Sequence, residues 1–519
     1  MSEHVLPAPH GIEHTTELAL EEKAKLKKSL RRFDMVFFTL CALVGLDTLG
    51  AVASYGPQGF FWLVVMAITF IGPYMLIMSE IGSSFTEEGG PYEWVKLAFG
   101  RAQAGIAAVV YWASNPFWVG GSLAFIASAA WAATDLPGLG IDDLGTVGDY
   151  AFKLLFIWFS IGVAIAAIEK GKWIPNAGAI ARILVLGFFT VTLVVYAAEN
   201  GVEGFAFGDM KPTLTVFLAL APVILFNYVG FELQNGAAEE MVNPQRDVPI
   251  SVLRAGSLGV VLYCVPVLGI LLVLPQSQIT GIGGFVDAIK ETYSVYGGAQ
   301  DVLFALSALL FIFTLMTSGA VWMIGADRVL AVSAYDGSFF PWFGVFNKKL
   351  GTPVRCNVLS GIVSSIFMVA AVLMLKSGSA ADAFSVVLAM ATSTTLLSYL
   401  WIFPAALMLR YREPDVVRNY RVPGGRNWGM WVASVLVILW AALGSWAAVF
   451  PGTLEPLFGV DYAFKDEWGV SRLAFHGLTL GTLLIMFVVA IVGYVSGKRV
   501  RERDVVIPIE HEALASAPG

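Results

Sequence analysis

The sequence predicts an all-α membrane protein with about twelve transmembrane helices, and three observations lead there. Of its 519 residues 57% are hydrophobic and only 14% charged, with a mean hydropathy of +0.73, which is membrane composition. Apolar runs long enough to cross a bilayer, about 20 residues each, recur along the chain. Two of these runs, the first and the sixth, are interrupted in a similar way by glycine and polar residues.

In chain order, residues 1–32 form a polar N-terminal segment, expected in the cytoplasm. Its stretch "LALEEKAKLKKSLRR" reads either as a short interfacial helix or as a solvated basic collar that sets topology. The transmembrane domain spans 33–497. Its apolar segments start near Met35, Gly59, Ala104, Ala151, Ile174, Leu214, Val252, Val302, Val354, Ala383, Trp428 and Leu473. The first run follows a basic cluster (Lys23, Lys25, Lys27, Lys28, Arg31, Arg32) but lacks an A-x-A-like cleavage site, so it is a span and not a signal peptide. Residues 498–519 form a short polar tail, again expected in the cytoplasm.

Basic residues cluster on one side of this arrangement: the N-terminal collar, Lys96, Arg101, Lys170, Lys172, Arg246, Lys348, Lys349, Arg355, the Arg410 to Arg426 loop and Lys498 to Arg503. The opposite loops, such as "TDLPGLGIDDLGTVGDY" and "PGTLEPLFGVDYAFKDEWG", are acidic. The positive-inside rule then places both termini in the cytoplasm of a multi-pass protein of the cell membrane. The net charge of −7 identifies no partner, and nothing points to nucleic acid.

Cys41, Cys264 and Cys356 lack metal-ligand spacing and imply no disulfide framework. His4, His10, His14 and His511 lie in the tails and His476 opens the last span, which argues against a histidine relay or a histidine-held metal in the core. No HExxH, GxSxG or nucleotide loop is present, so an enzyme is not expected, nor a cofactor.

The first interruption is "GLDTLG", Gly45 to Gly50. The second is "LFNYVGFELQNGAAEE", with Gly230 and Gly236 around Asn227, Glu232 and Asn235. Such breaks are tolerated only where a helix lines a cavity or is buried in protein. At the first and sixth positions they fit two inverted five-helix repeats with a substrate site near the bilayer midplane.

Four stretches carry a family resemblance: "SEIGSSFTEEGGPYEWVKLAFG", "FNYVGFELQNGAAEEMVNPQRDVPISV", "ADRVLAVSAYDGSFFPWF" with "GTPVR", and "YREPDVVRNYRVPGG". In this order they resemble the amino acid–polyamine–organocation permeases. The resemblance implies a five-plus-five inverted repeat with two further helices and alternating access. It also implies secondary transport of amino acids, polyamines or related amines, coupled to protons, to sodium or to exchange.

Many members of that family carry small residues at the first break, where backbone N–H groups bind the substrate carboxylate. Here Gly45, Thr48 and Gly50 flank Asp47 instead. A carboxylate there repels a carboxylate and attracts an ammonium, by about 4 kcal/mol at about 4 Å for an effective dielectric near 20. Two compatible readings stand. Asp47 meets a positive group of the cargo, or it forms a buried ion pair with Arg182, which occupies the place where some proton-coupled members carry a lysine. Arginine does not release its proton, so in that place it is a fixed counter-charge and a coupling proton rides elsewhere.

Glu232 is the candidate carrier, since a desolvated carboxylate holds its proton to higher pH than an exposed one; the alternative is a carboxylate that caps free backbone N–H groups. Glu80 reads as structural, and Glu239 and Glu240 as wet. Phe226 and Trp322 stand where related exchangers place aromatic substrate contacts, worth about 0.5 to 2 kcal/mol to an amine. Asn115 and Asn227 either bond a polar substrate group or satisfy backbone freed by proline and glycine, with a structural role favoured for Asn115. Thr317 and Ser318 match a sodium site of related folds, but Arg182 competes with that ion, which favours protons. The expected function is a secondary transporter of an amine-bearing solute. The alternatives are an inorganic cation symporter, such as a potassium/proton symporter, and a membrane-embedded sensor.

Overall fold

The computed structural model describes residues 12–508 except 135–140, 167–171, 203–206, 280–282, 376–379 and 426. Lys170, Arg426, His4, His10, His511 and part of the acidic loop before Gly145 lie outside the described residues. Among those described, nine helices are long and apolar enough to cross a membrane. The apolar segments are numbered along the chain as above.

Segment 1 is helical over Arg32–Leu43, unwinds, and resumes at Leu49–Ala53. One side chain serves two groups of its frayed backbone: the Tyr263 hydroxyl of segment 7 accepts from Gly45 N–H at 2.8 Å and donates to Leu43 C=O at 2.9 Å. Segment 6 runs Leu214–Asn227, breaks at Gly230 and continues as a tight turn at Leu233–Glu240. Gly230 has φ +122°, a conformation open to glycine, and a Cβ there would stand 3.0 Å from the Trp322 ring.

Segment 3 runs through Arg101–Trp118, a widened turn at Val119–Leu123, and Ala124–Ala132. Pro116 has no N–H, so the carbonyl of Trp112 loses its helical donor. The Asn115 amide donates to that carbonyl at 3.4 Å and to Tyr111 C=O at 3.5 Å. Segment 2, Pro57–Ser84, also widens at Ala67–Ile71, just ahead of Pro73. The remaining helices are Trp173–Asn200 (segment 5), Pro244–Val273 (7), Gln300–Tyr335 (8), Val354–Leu375 (9), Ala380–Arg412 (10), Trp428–Val449 (11) and Arg472–Ser496 (12). Segment 4 is straight from Gly145, where a positive φ kinks Ile141–Ile165. Segment 12 leaves Leu473, Leu484, Ile485, Val492 and Val495 exposed, a face suited to lipid and costly in water.

Strand Ile12–Thr16 pairs antiparallel with Asp504–Pro508, so both ends of the described chain lie on one face. The basic N-terminal stretch is helical only over Glu17–Lys23, capped by the Thr16 hydroxyl, which accepts from Ala19 N–H at 3.1 Å. Arg101 joins Asp336, at the end of segment 8, to Asp504 of the tail strand, at 2.9 and 2.8 Å.

The acids outside the breaks divide differently from expectation. Glu80 is buried and paired with Arg410, and it accepts from Val422 N–H at 2.7 Å, so it pins the loop after segment 10. The expectation that Glu240 is wet is corrected: it is buried and bonds Arg328 at 2.5 Å, while Glu88 takes the same guanidinium at 3.1 Å. Glu239, partly buried, meets Lys23 at 2.8 Å.

Candidate functional site

Asp47 lies in the unwound turn of segment 1 and is 3% exposed. Its Oδ2 accepts from the Trp118 indole N–H at 2.8 Å. Trp118 stands at the widened turn of segment 3 and sits edge-on to both Phe226 (5.8 Å) and Trp322 (6.1 Å). Trp322 donates its own N–H to Ala42 C=O at 2.9 Å, which fixes its ring against Gly230. Asp47 is thus bonded to one indole, Trp118, against which aromatic rings of segments 6 and 8 pack.

Arg182 does not pair with Asp47 within hydrogen-bond reach. Its Nε donates to Val44 C=O (2.8 Å). Nη1 bonds Gly178 C=O (2.8 Å), Thr317 Oγ1 (3.2 Å) and Cys41 Sγ (3.2 Å), and Nη2 bonds Thr314 C=O (2.6 Å) and the Ser318 hydroxyl. Ser318 in turn donates to Cys41 C=O at 3.1 Å. Carbonyls and hydroxyls of segments 1, 5 and 8 thereby converge on a fully buried guanidinium, the ligand set that a bound cation would use. The direct Asp47–Arg182 ion pair is replaced by this cradle, so Arg182 acts on Asp47 through space alone.

Glu232 is fully buried two residues beyond Gly230. Three phenols surround it: Tyr111 donates at 2.9 Å, Tyr399 at 3.0 Å, and Tyr74 bonds the other oxygen. Tyr74 also accepts from Gly230 N–H at 3.2 Å and lies 2.7 Å from the Tyr399 hydroxyl. Every side chain that bonds this carboxyl is neutral, and segments 2, 3, 6 and 10 meet on it.

The remaining candidates separate. Asn227 is 4% exposed, and neither end of its amide has a hydrogen-bond partner among the described residues; the same holds for the buried Thr48 hydroxyl. Both belong to the breaks beside Asp47, where unsatisfied polar groups are unusual unless a ligand completes them. Gly45 is held by Tyr263, and Gly50 packs against Gly284, 3.2 Å from where a Cβ on Gly284 would stand. Asn115 repairs the proline gap and faces its own helix. Sequence reasoning missed Trp118 and the tyrosines. Their signal was present, since a buried Tyr or Trp needs a partner for its O–H or N–H, but which partner depends on contacts 71 to 167 residues away along the chain.

Residues 30–457 match the amino acid permease family. A probable agmatine/putrescine antiporter of Lactococcus lactis is 28% identical over 407 residues, which cover 78% of this chain and 84% of that one. The vacuolar cationic amino acid transporter 8 of Arabidopsis thaliana is 21% identical over 509 residues, 92% of this chain and 80% of that one. Among solved structures, a manganese transporter variant from Eremococcus coleocola superposes with a TM-score of 0.57 at 10% identity, over 95% of this chain and 98% of that one. This likeness concerns the fold, a transporter architecture with interrupted helices. The motifs, the paired breaks and the match over most of the chain meet in one statement: this protein is a member of the amino acid permease family, a transporter and not an enzyme.

Proposed function

We propose that the protein is a secondary transporter of amine-bearing solutes in which Asp47 receives the cationic group and Glu232 carries the coupling proton. The observation that carries this reading is the buried Asp47 carboxylate. It is bonded to Trp118, whose ring packs edge-on to Phe226 and Trp322, and the buried cation Arg182 is engaged elsewhere. A carboxylate beside aromatic rings favours an ammonium or guanidinium by charge and by cation–π attraction, about 0.5 to 2 kcal/mol for the latter. Asn227 and Thr48 offer unsatisfied donors and acceptors for a polar substituent. The names of the relatives, an agmatine/putrescine antiporter and a cationic amino acid transporter, fit a cationic cargo, with diamines and guanidino-amines preferred over zwitterions because the first break holds an acid.

Coupling follows from Arg182. With its guanidinium in the cradle that a sodium ion would use, and unable to release its proton, the exchangeable charge belongs to Glu232 among its phenols. Basic loops and both termini lie in the cytoplasm of the cell membrane on this reading.

Counterflow in proteoliposomes tests the cargo. Diamines, simple amines and guanidino-amines are expected to compete with one another, and neutral and acidic amino acids and potassium weakly or not at all. Competition confined to carboxylate-bearing solutes, or to potassium, overturns the assignment of Asp47. Uptake that needs sodium and ignores a proton gradient overturns the role of Glu232.

A further inference from the structure

Segment 8 buries an acid that the transport reading does not use. Asp327 is fully buried. Its Oδ1 lies 2.9 Å from Trp112 Nε1 and 2.5 Å from Ser360 Oγ, and its Oδ2 lies 2.5 Å from the Asn357 amide. All three are neutral groups of segments 3 and 9. The charge next to it, Arg328 on its own helix, turns its guanidinium onto Glu88 and Glu240. On segment 9 the Cys356 thiol bonds Phe343 C=O at 3.5 Å.

The surroundings suit a proton and not a metal ion. Trp112 N–H can only donate, and it sits 2.8 Å from Ser360 Oγ as well as 2.9 Å from Asp327, in the space a cation between those oxygens would need. Asn357 Oδ1, by contrast, is buried with no partner among the described residues, although Asn357 is only 1% exposed. The two ends of a side-chain amide have nearly the same shape. With the amide turned over, Nδ2 takes the unpartnered place and Oδ1 faces the carboxyl, where it accepts a hydrogen when the carboxyl carries one, so Asn357 can serve either charge state of Asp327.

We infer that Asp327 is a second proton-binding site, lodged between segments 3, 8 and 9 and separate from the solute site. A proton gained or lost there is felt one residue from Tyr111, which holds Glu232, and one residue from Arg328, which clamps Glu88 and Glu240. The site does not depend on which solute is carried.

Infrared difference spectroscopy of the full-length protein in lipid nanodiscs, titrated across pH without solute, tests it. A protonated-carboxyl band is expected that disappears in Asp327→Asn, persists in Glu232→Gln, and shifts in Asn357→Ala because its hydrogen bond is lost. Asp327→Asn with all parental bands intact overturns the inference. If that variant does not fold, an unshifted spectrum of Asn357→Ala overturns it. In proteoliposomes, the pH dependence of uptake is expected to become less steep by about one proton in Asp327→Asn. A purely structural role lowers the rate and leaves the pH profile unchanged, which also overturns it. Because the spectra need no cargo, a wrong assignment of Asp47 or of coupling leaves this result readable.

Discussion

Three side chains divide the work at the centre, and each has its own signature on substitution. Asp47→Asn keeps shape and hydrogen bonding with Trp118 but removes the charge. The KM for a cationic solute is expected to rise about tenfold to a hundredfold, equivalent to about 1.4 to 2.8 kcal/mol, while folding is retained; initial-rate uptake measures it. Glu232→Gln keeps the acceptor for Tyr111 and Tyr399 yet cannot cycle a proton. Its solute exchange is expected to continue while the pH dependence of net uptake flattens, as read by counterflow and by pH-jump uptake on the same vesicles. Arg182→Ala leaves three buried carbonyls, those of Val44, Gly178 and Thr314, without this donor. Val44 C=O, in the break, loses its donor, while Thr314 C=O keeps the Thr317 hydroxyl; an unsatisfied group costs about 1–3 kcal/mol, so a fall in thermal unfolding temperature in detergent is expected, partly restored by Arg182→Lys.

At the scale of elements, the interrupted helices depend on tyrosines from elsewhere. Tyr263 from segment 7 serves both a donor and an acceptor of the first break, and Tyr74 from segment 2 serves Gly230 in the second. Tyr263→Phe removes both bonds at once and is expected to destabilise by about 1–3 kcal/mol, with faster amide exchange confined to residues 43–48. The breaks themselves were legible in the sequence, because glycines and acids inside an apolar run are a local property. The segment starts were legible for the same reason: expected starts such as Gly59, Ile174 and Trp428 lie within two residues of the observed Pro57, Trp173 and Trp428. Trp118 was not legible as a contact of Asp47. Its position follows from the widened turn after Pro116, and that turn forms only when segment 3 is packed. Glu240 was misjudged on the same ground, since its partner Arg328 lies 88 residues further on.

For the whole molecule, the pairing of Ile12–Thr16 with Asp504–Pro508 ties these two strands to the helix bundle through Arg101. Nothing in the polar tails announced it, because a five-residue strand has no pattern of its own until its partner is present. Asp336 is the hinge of this arrangement. Burial pushes its carboxyl up, but Lys96 and Arg101 outweigh burial and hold it below its usual value of 3.8. A depressed acid contributes stability that is present above 3.8 and lost as pH falls through the lower folded value. The tail strands are therefore expected to stay protected from hydrogen exchange at neutral pH and to open on strong acidification, and Asp336→Asn is expected to open them at neutral pH.

The cradle around Arg182 has an energetic consequence for a living membrane. A cation tethered by a side chain never crosses with the cargo, so with the proposed proton coupling the electrical work of each cycle is set by the solute and by the protons that move with it. Each elementary charge moved through 100 mV is worth about 2.3 kcal/mol. An interior-negative cell therefore pulls a doubly charged solute inward with about twice the force exerted on a singly charged one. Current per molecule transported, measured at clamped voltage, counts the charges on the cargo together with those of the protons that move in the same cycle.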